Sequence, residues 1–451
     1  MKANRFLLRR RLAVAVAVAL PLTTLAAELS PPADDAQSPV FTLGRLSVIE
    51  VRAPLLENAI GTATVAREDM WDFSRDGLTD ALNLIPGAVT TPGTGQRNET
   101  AISIRGFDRW QVPLMMDGIR LYLPADNRID FDRFLTPDLA EIQVSKGYVS
   151  VLNGPDGMGG AINLVTRKPV KPFEAEVRVS AALAESGQYN GNTLYANLGG
   201  RQQHWYYQAS AQQRDIDHWR LSRDFRPTAA ENGGERNHSG KEDWRVALKT
   251  GYTPNETDEY SINFTKQSGE KSGIHSTSGR GQPWAWPTWD TWSVYWLSHT
   301  QLSETAYVKT RLYYNKFDNS LLAYTNQTRD TPAWISYYDD EALGGSVEVG
   351  TDYFEGHTLK AALHYRRDEH TEWERNYGNG FTEPKHSSLE SVYSFALEET
   401  WRIAPQLELV AGISRDIRRS DRVEEYAGGP TGSLFRQPVS DSFATNYQGA
   451  L

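Results

Sequence analysis

The sequence has no cysteine, so neither a disulfide framework nor thiolate chemistry is available to it. Stability has to come from chain length and backbone pairing. Beyond its N-terminus it has no long apolar run, and its mean hydropathy is negative. That leaves no stretch for a membrane-spanning helix, which needs about 20 apolar residues. A transmembrane β-barrel is not excluded, because its lipid-facing and lumen-facing residues alternate and dilute each other in any window. Basic charge is also short: the formal net charge of −10 argues against a nucleic-acid surface. No Ser-His-Asp grouping, HExxH motif or phosphate loop stands out. Asp108 and Asp117 read as loop and turn residues, so no enzymatic activity and no cofactor are expected.

What is present begins at the N-terminus. Lys2, Arg5, Arg9, Arg10 and Arg11 precede an apolar run from Leu12 to Leu25 that ends in the small residues Ala26 and Ala27. This pattern predicts a cleaved export signal over residues 1–27; the alternative, a membrane anchor, needs a longer run. The 451 residues are enough for two or three domains. Thirteen Trp and 21 Tyr are many for this length, and such residues concentrate at membrane interfaces and binding surfaces.

Residues 28–45, rich in Pro, Ala, Ser and Asp, read as a flexible linker. A β-prone stretch follows at 46–51: Leu46, Ser47, Val48, Ile49, Glu50 and Val51. Residues 52–170 show a mixed α/β pattern. Leu78, Ala81, Leu82 and Ile85 have the i, i+3, i+4, i+7 spacing of one helix face before Pro86-Gly87. Short strands are predicted over 101–107, 141–147 and 161–166.

From 171 to 451 the period becomes two. Leu194, Ala196 and Leu198 alternate with polar residues, as do Val308, Leu312 and Tyr314, then Leu359, Ala361 and Leu363, then Leu407, Leu409, Ala411 and Ile413. Each segment is a strand with one apolar face. Short connections at 199–202, 253–257, 302–305, 352–356 and 404–406 alternate with long polar ones at 214–242, 267–289, 318–340, 367–388 and 418–439. Short turns on one side and long loops on the other are the signature of a transmembrane barrel; a soluble β-sandwich is the competing reading. Eleven strands and the start of a twelfth, Asp441 to Leu451, predict about half a barrel, which as given is expected neither to close nor to transport.

Five segments occur in order: Leu82-Asn83-Leu84-Ile85-Pro86-Gly87-Ala88, Ser103-Ile104-Arg105-Gly106-Phe107, Met116-Asp117-Gly118-Ile119-Arg120, Glu141 to Gly147, and Gly159 to Pro169. Together they resemble the plug of TonB-dependent outer-membrane receptors, with the whole chain fitting the pattern. The resemblance implies a 22-stranded barrel in the full protein, about 11–12 strands of it here, filled by an N-terminal α/β plug. It also implies energy-coupled import of a scarce nutrient through TonB, with ExbB and ExbD as inner-membrane partners.

Residues 46–51 resemble the TonB box. A mobile β-prone peptide adds readily as an edge strand to a partner sheet; the other reading is a first plug strand. Too few residues precede it for the extra signalling domain of some family members.

The outward plug loops of the family predict ligand contacts at Arg97, Arg109, Trp110, Tyr122 and Arg128. Guanidinium groups suit an anionic chelate and aromatic faces suit planar rings; the alternatives are salt bridges to the wall and lumen packing. Trp284 and Trp286, read as lying in a long loop, join them, whereas Trp292 and Trp296 share parity with Val294 and read as interface-belt residues. By resemblance Arg105, with Lys146 at the second basic position, pairs with barrel carboxylates, for which Glu398 and Glu399 are candidates. Lysine lacks the bidentate fork of arginine.

No histidine lies between Leu46 and Pro169, which lowers a haem reading, although His275 and His370 remain. Met115 and Met116 read as core, although with Met158 they raise the option of a soft metal. A ferric siderophore leads; haem, cobalamin, copper and a glycan are alternatives, with a passive porin behind them. Val48→Pro, which removes a backbone donor from the 46–51 strand, is expected to abolish accumulation of ligand in cells while leaving its binding to the cell surface intact. Comparing bound with accumulated radiolabelled ligand checks this, and undiminished accumulation would remove the box assignment.

Overall fold

The computed structural model describes residues 43–45, 61–92, 97–121, 127, 129–147, 149–184, 187–274 and 276–450. The expected export signal, the linker as far as residue 42, the 46–51 stretch, Tyr122, Arg128 and His275 lie outside the described residues. The expected linker is too long at its C-terminal end. Leu43 is buried against Ile119, Tyr295 and Leu297, and Arg45 pairs with Glu141 at 2.9 Å.

The plug has seven strands: β1 (Thr62–Ala66), β2 (Ala88–Pro92), β3 (Thr100–Ile104), β4 (Leu114–Met116), β5 (Ile119–Leu121), β6 (Leu139–Ser145) and β7 (Ala161–Thr166). Five form a sheet in the order β1-β6-β7-β4-β5, with β4 and β7 parallel, and β2-β3 is a separate hairpin. Helices α1 (Arg67–Asp72) and α2 (Leu78–Leu82) pack on it. Leu78, Ala81 and Leu82 are fully buried, as their spacing predicts.

Three of the sequence motifs meet in space, and that explains the glycines of the last. A Cβ on Gly159 would lie 2.2 Å from Phe107 Cβ, and one on Gly160, at φ 143°, 2.3 Å from the Ser145 carbonyl oxygen. The Arg105-Gly106-Phe107 turn and the end of β6 close on the start of β7 only without side chains there.

The wall is an antiparallel meander: β8 (Glu174–Leu183), β9 (Tyr189–Arg201), β10 (Trp205–Ile216), β11 (Lys241–Tyr252), β12 (Glu259–Ser272), β13 (Trp284–Ser303), β14 (Ala306–Tyr324), β15 (Pro332–Thr351), β16 (His357–Asn376), β17 (His386–Ala404) and β18 (Leu407–Ala427). A short β19 (Ser433–Arg436) folds onto the outer end of β18, and β20 (Ser442–Ala450) pairs along its length. Eleven strands plus a twelfth match the reading of the sequence. β8 and β20 are the edges and do not pair with each other. Among the described residues no helix is long and apolar enough to cross a membrane, which says nothing of strands.

The outward face carries Leu248, Ile262, Val294, Leu312, Leu343, Leu363, Phe395, Leu397 and Ile413, all exposed. On β11 the outward residues Trp244 and Tyr252 bracket Val246, Leu248 and Thr250, about 26 Å along the strand at ~3.3 Å per residue. That matches the apolar band between the aromatic girdles of a membrane barrel. Trp292 packs with Tyr314 at 5.1 Å, and Trp296 stacks on Tyr260 at 5.9 Å, as belt residues do.

The structure corrects the expected loops. β13 to β18 run for 19–21 residues, so the connection expected at 267–289 shrinks to 273–283, that at 318–340 to 325–331, and that at 367–388 to 377–385. Only ~9–11 residues are needed to cross the bilayer, so the outer half of each strand stands clear of it. There the outward face no longer meets lipid and the lumen face mixes aromatics with charges, so the apolar/polar alternation disappears and the sequence reads as loop. Trp284 and Trp286 therefore sit on β13, and His370 sits on β16.

Leu248→Arg, in the middle of the β11 band, is expected to cost roughly 2–4 kcal/mol of barrel stability. Urea titration of the protein folded into liposomes measures it; an unchanged midpoint would mean this face does not meet lipid.

Candidate functional site

The plug is held in the wall by charges. Asp130, in the segment leading into β6, accepts from Lys271 Nζ of β12 at 2.6 Å, with both side chains buried. Asp132 pairs with Lys241 of β11 and, at 3.3 Å, with Arg214 of β10. Asp138 faces Arg245 at 3.1 Å, and Asp76 faces Arg178 at 3.8 Å. Running the other way, Arg133 of the plug donates from Nε to Asp243 Oδ1 of β11 at 3.0 Å, with its Nη2 2.8 Å from the same oxygen as an ion pair and both side chains 1% exposed. Arg133 also lies over the Trp289 ring at 4.9 Å. A Cβ on Gly269 would meet Asp243 Oδ1 at 2.1 Å and Arg133 Nη2 at 2.2 Å, so this glycine leaves the notch through which the guanidinium enters the wall.

Asp117 ties the turn after β4 to the same frame. Its carboxylate accepts from the Thr166 N–H at 2.8 Å, the Thr166 hydroxyl at 2.5 Å and the Tyr295 hydroxyl at 2.7 Å, with Lys249 Nζ 3.8 Å away. Burial pushes its pKa up, but the Lys249 charge and these donors outweigh that and hold it below the ordinary carboxylate value. Asp130 behaves alike: burial raises it, and Lys271 and Arg133 bring it down further.

The expected pairing of Arg105 and Lys146 with Glu398 and Glu399 is not what forms. Arg105 sits in a left-handed turn at φ 50°, and Lys146 Nζ donates to the Pro86 carbonyl at 3.2 Å. Burial, and then the Arg105 guanidinium, lower the Lys146 pKa. Among the described residues neither cation makes an ion pair with a barrel carboxylate. Glu398 faces the lumen and accepts from Ser150 Oγ at 2.6 Å, whereas Glu399, one residue on, has the opposite parity and bonds His357 Nδ1 at 2.7 Å. The period of two separates adjacent glutamates onto the two faces of the sheet.

At the outer mouth the structure brings Arg97, Trp284 and Trp286 together. Arg97 lies 5.6 Å from the Trp284 ring and 3.7 Å from Glu99. Trp284 packs edge-on against Trp286 at 6.5 Å and Trp334 at 6.2 Å. Lys271 Nζ sits 4.7 Å from the Trp286 ring while donating to the Asn98 carbonyl at 2.9 Å, so one lysine fixes both the plug loop and the tryptophan. Arg329, from the connection after β14, donates to the carbonyls of Trp284 at 3.0 Å and Gly273 at 2.5 Å. Arg109 and Trp110 stack on each other at 5.3 Å, steadied by Asn127 on the Arg109 carbonyl at 2.9 Å, and form a second, exposed patch on the plug.

Trp334, Lys271 and Arg329 were missed in the sequence, Trp334 and Lys271 because the strand ends that carry them were read as loop. Met115 and Met116 are buried, and Met116 Sδ faces Arg245 Nη2 at 3.2 Å, which fits core packing.

Asp130→Asn leaves Lys271 buried without its counter-charge, a loss of roughly 3–5 kcal/mol for a buried pair; faster amide exchange at residues 97–104 and 129–135 is the expected result. Because the Asp117 and Asp130 pKa values are depressed, their contribution is present above the unfolded value of about 3.9 and is lost as pH falls through the lower folded values. Plug protection from exchange is therefore expected to hold from neutral pH to about 4 and to fall below that; protection lost near pH 6 would mean other groups hold the plug.

Comparison with known proteins agrees with this geometry. Residues 54–161 match the TonB-dependent Receptor Plug Domain family. The iron-regulated outer membrane virulence protein of Vibrio cholerae is 32% identical over 154 residues, 32% of this chain and 23% of that protein. The vitamin B12 transporter of Vibrio vulnificus is 26% identical over 147 residues, 33% of this chain and 24% of that protein. The matched stretch thus spans about a quarter of each relative. Among solved structures, the copper transporter OprC superposes with a TM-score of 0.68 at 18% identity, covering 86% of this chain and 61% of that one. The ferric yersiniabactin uptake receptor of Yersinia pestis gives 0.63 at 12% identity, covering 88% and 63%. Residues 54–161 thus carry the plug domain of TonB-dependent receptors, seated in a wall with the fold of these outer-membrane proteins.

Proposed function

We propose that this receptor imports a ferric siderophore across the outer membrane, energised through TonB with ExbB and ExbD. The observation that carries the reading is the cluster at the outer mouth. A partly exposed guanidinium at Arg97 adjoins Trp284, Trp286 and Trp334, with Lys271 behind them. Cationic donors suit the negative charge of a ferric chelate, and indole faces suit planar catecholate or similar rings. The Arg109–Trp110 patch offers the same pair of chemistries from the plug. Residues 46–51 are the proposed TonB box, and Tyr122 and Arg128 are proposed as further contacts.

Relatives support this reading without singling it out. An iron-regulated protein and a ferric yersiniabactin receptor stand on one side, a vitamin B12 transporter and a copper transporter on the other. Cobalamin is the second reading, favoured by the B12 transporter among the relatives.

Growth of a deletion strain on single iron sources tests the substrate: loss of growth on one ferric siderophore is expected, and loss confined to a cobalamin-dependent medium would overturn it. Trp284→Ala is expected to weaken binding of that siderophore by about 2 kcal/mol, as for a buried aromatic anchor, read by fluorescence titration of the purified receptor.

A further inference from the structure

At the outer ends of β15, β16 and β17 two histidines and two carboxylates meet on the lumen-facing side. His370 and Glu372 are two residues apart on β16 and so share a face. His386, the first residue of β17, lies directly across from Glu372, and Asp340 of β15 directly across from His370. His370 Nδ1 is 2.5 Å from Asp340 Oδ1 and its Nε2 is 3.5 Å from Glu372 Oε2. His386 Nδ1 is 3.3 Å from the Pro384 carbonyl and its Nε2 is 3.2 Å from Glu372 Oε1. Both imidazoles are buried, and the Tyr338 ring stands edge-on to His370 at 4.8 Å.

Donors and acceptors do not balance here. A carbonyl oxygen only accepts, so His386 Nδ1 carries a proton, and the Asp340 carboxylate requires the same of His370 Nδ1. Two neutral rings then have no N–H left, and both Nε2 lone pairs point at the two oxygens of one carboxylate. Positive charge is needed between them. Two extra protons supply it, or a single divalent cation does, bonding both Nε2 atoms and the carboxylate at once.

The outer contacts are also those of a metal site. Ligating histidines donate their second nitrogen to a carboxylate or a backbone carbonyl, which fixes tautomer and ring orientation, and here each ring has one of the two. Two donors two residues apart on one strand, with a third on the neighbouring strand, suit a tetrahedral ion that leaves one position open.

We propose that His370, His386 and Glu372 bind one divalent late transition-metal ion, Zn2+ or Cu2+, with Asp340 and the Pro384 carbonyl orienting the rings. Among the described residues no group of ligating side chains already stands at metal spacing. The contacts at 3.2 and 3.5 Å are ligand-to-ligand separations of the order a tetrahedral ion imposes, and side-chain rotation brings each donor to about 2.0–2.2 Å from the ion when it enters. The Glu372 side chain is 39% exposed and gives the ion its approach. The bound ion staples β16 to β17 at the rim, and the site stands whatever nutrient the receptor carries.

The test uses the tag-free receptor, purified from outer membranes in detergent and stripped with EDTA. Calorimetric titration with ZnCl2 is expected to show one saturable ion per chain, weakened at least about 100-fold in His370→Ala/His386→Ala and about 10- to 100-fold in Asp340→Asn. Electron paramagnetic resonance of the unmutated receptor with one equivalent of CuCl2 reads the ligands without any variant, and coupling to two imidazole nitrogens is expected. No saturable Zn2+ binding, equal affinity in the double variant, or a Cu2+ spectrum without nitrogen coupling would each overturn the site.

Discussion

Everything in this molecule depends on a charged seam between two bodies that each leave their charges uncompensated. The plug brings Asp76, Asp117, Asp130, Asp132 and Asp138; the wall brings Arg178, Lys249, Lys271, Lys241, Arg214 and Arg245. Removing either side strands buried charge on the other, so docking is strongly specified even where the net gain of each pair is small. The pairs are spread over β8, β10, β11 and β12, so a plug displaced by one strand would lose most of them together. The Arg133–Asp243 pair adds a steric check, because it needs the side-chain-free notch at Gly269.

The outer face of the same sheet answers to a different solvent. Lipid asks only for apolar side chains and paired backbone, and the strands meet both demands over the band from Trp244 to Tyr252. Alternation along each strand therefore carries two messages: odd and even positions address the lipid and the plug separately. Glu398 and Glu399 show how sharply they part, since one step along β17 moves a carboxylate from Ser150 of the plug to His357 on the outside.

That split explains what could be read in the sequence. The membrane-embedded halves of the strands were legible because one face is apolar, and strand number and α2 followed from period alone. The outer halves were not, because no face there is apolar throughout; Trp334 and Lys271 lay in what looked like loop. The two glycines at 159 and 160 were visible, but their reason, Phe107 and the Ser145 carbonyl, is tertiary. The plug–wall pairs were misassigned because charge in a sequence does not say which way it faces. Asp130-Phe131-Asp132-Arg133-Phe134 held the signal, charges interleaved with aromatics in a single 3-10 turn.

The outer halves of β13 to β18 also bear on the recognition proposed here. The mouth tryptophans stand on paired strands rather than on free loops, and Arg329 binds the adjoining connection back to Trp284 and Gly273. On the proposed reading, a ligand arriving there would meet a collar whose spacing is set before it binds. Little conformational entropy remains to be lost at that step, so selectivity at the rim rests on shape and charge instead of on loop closure.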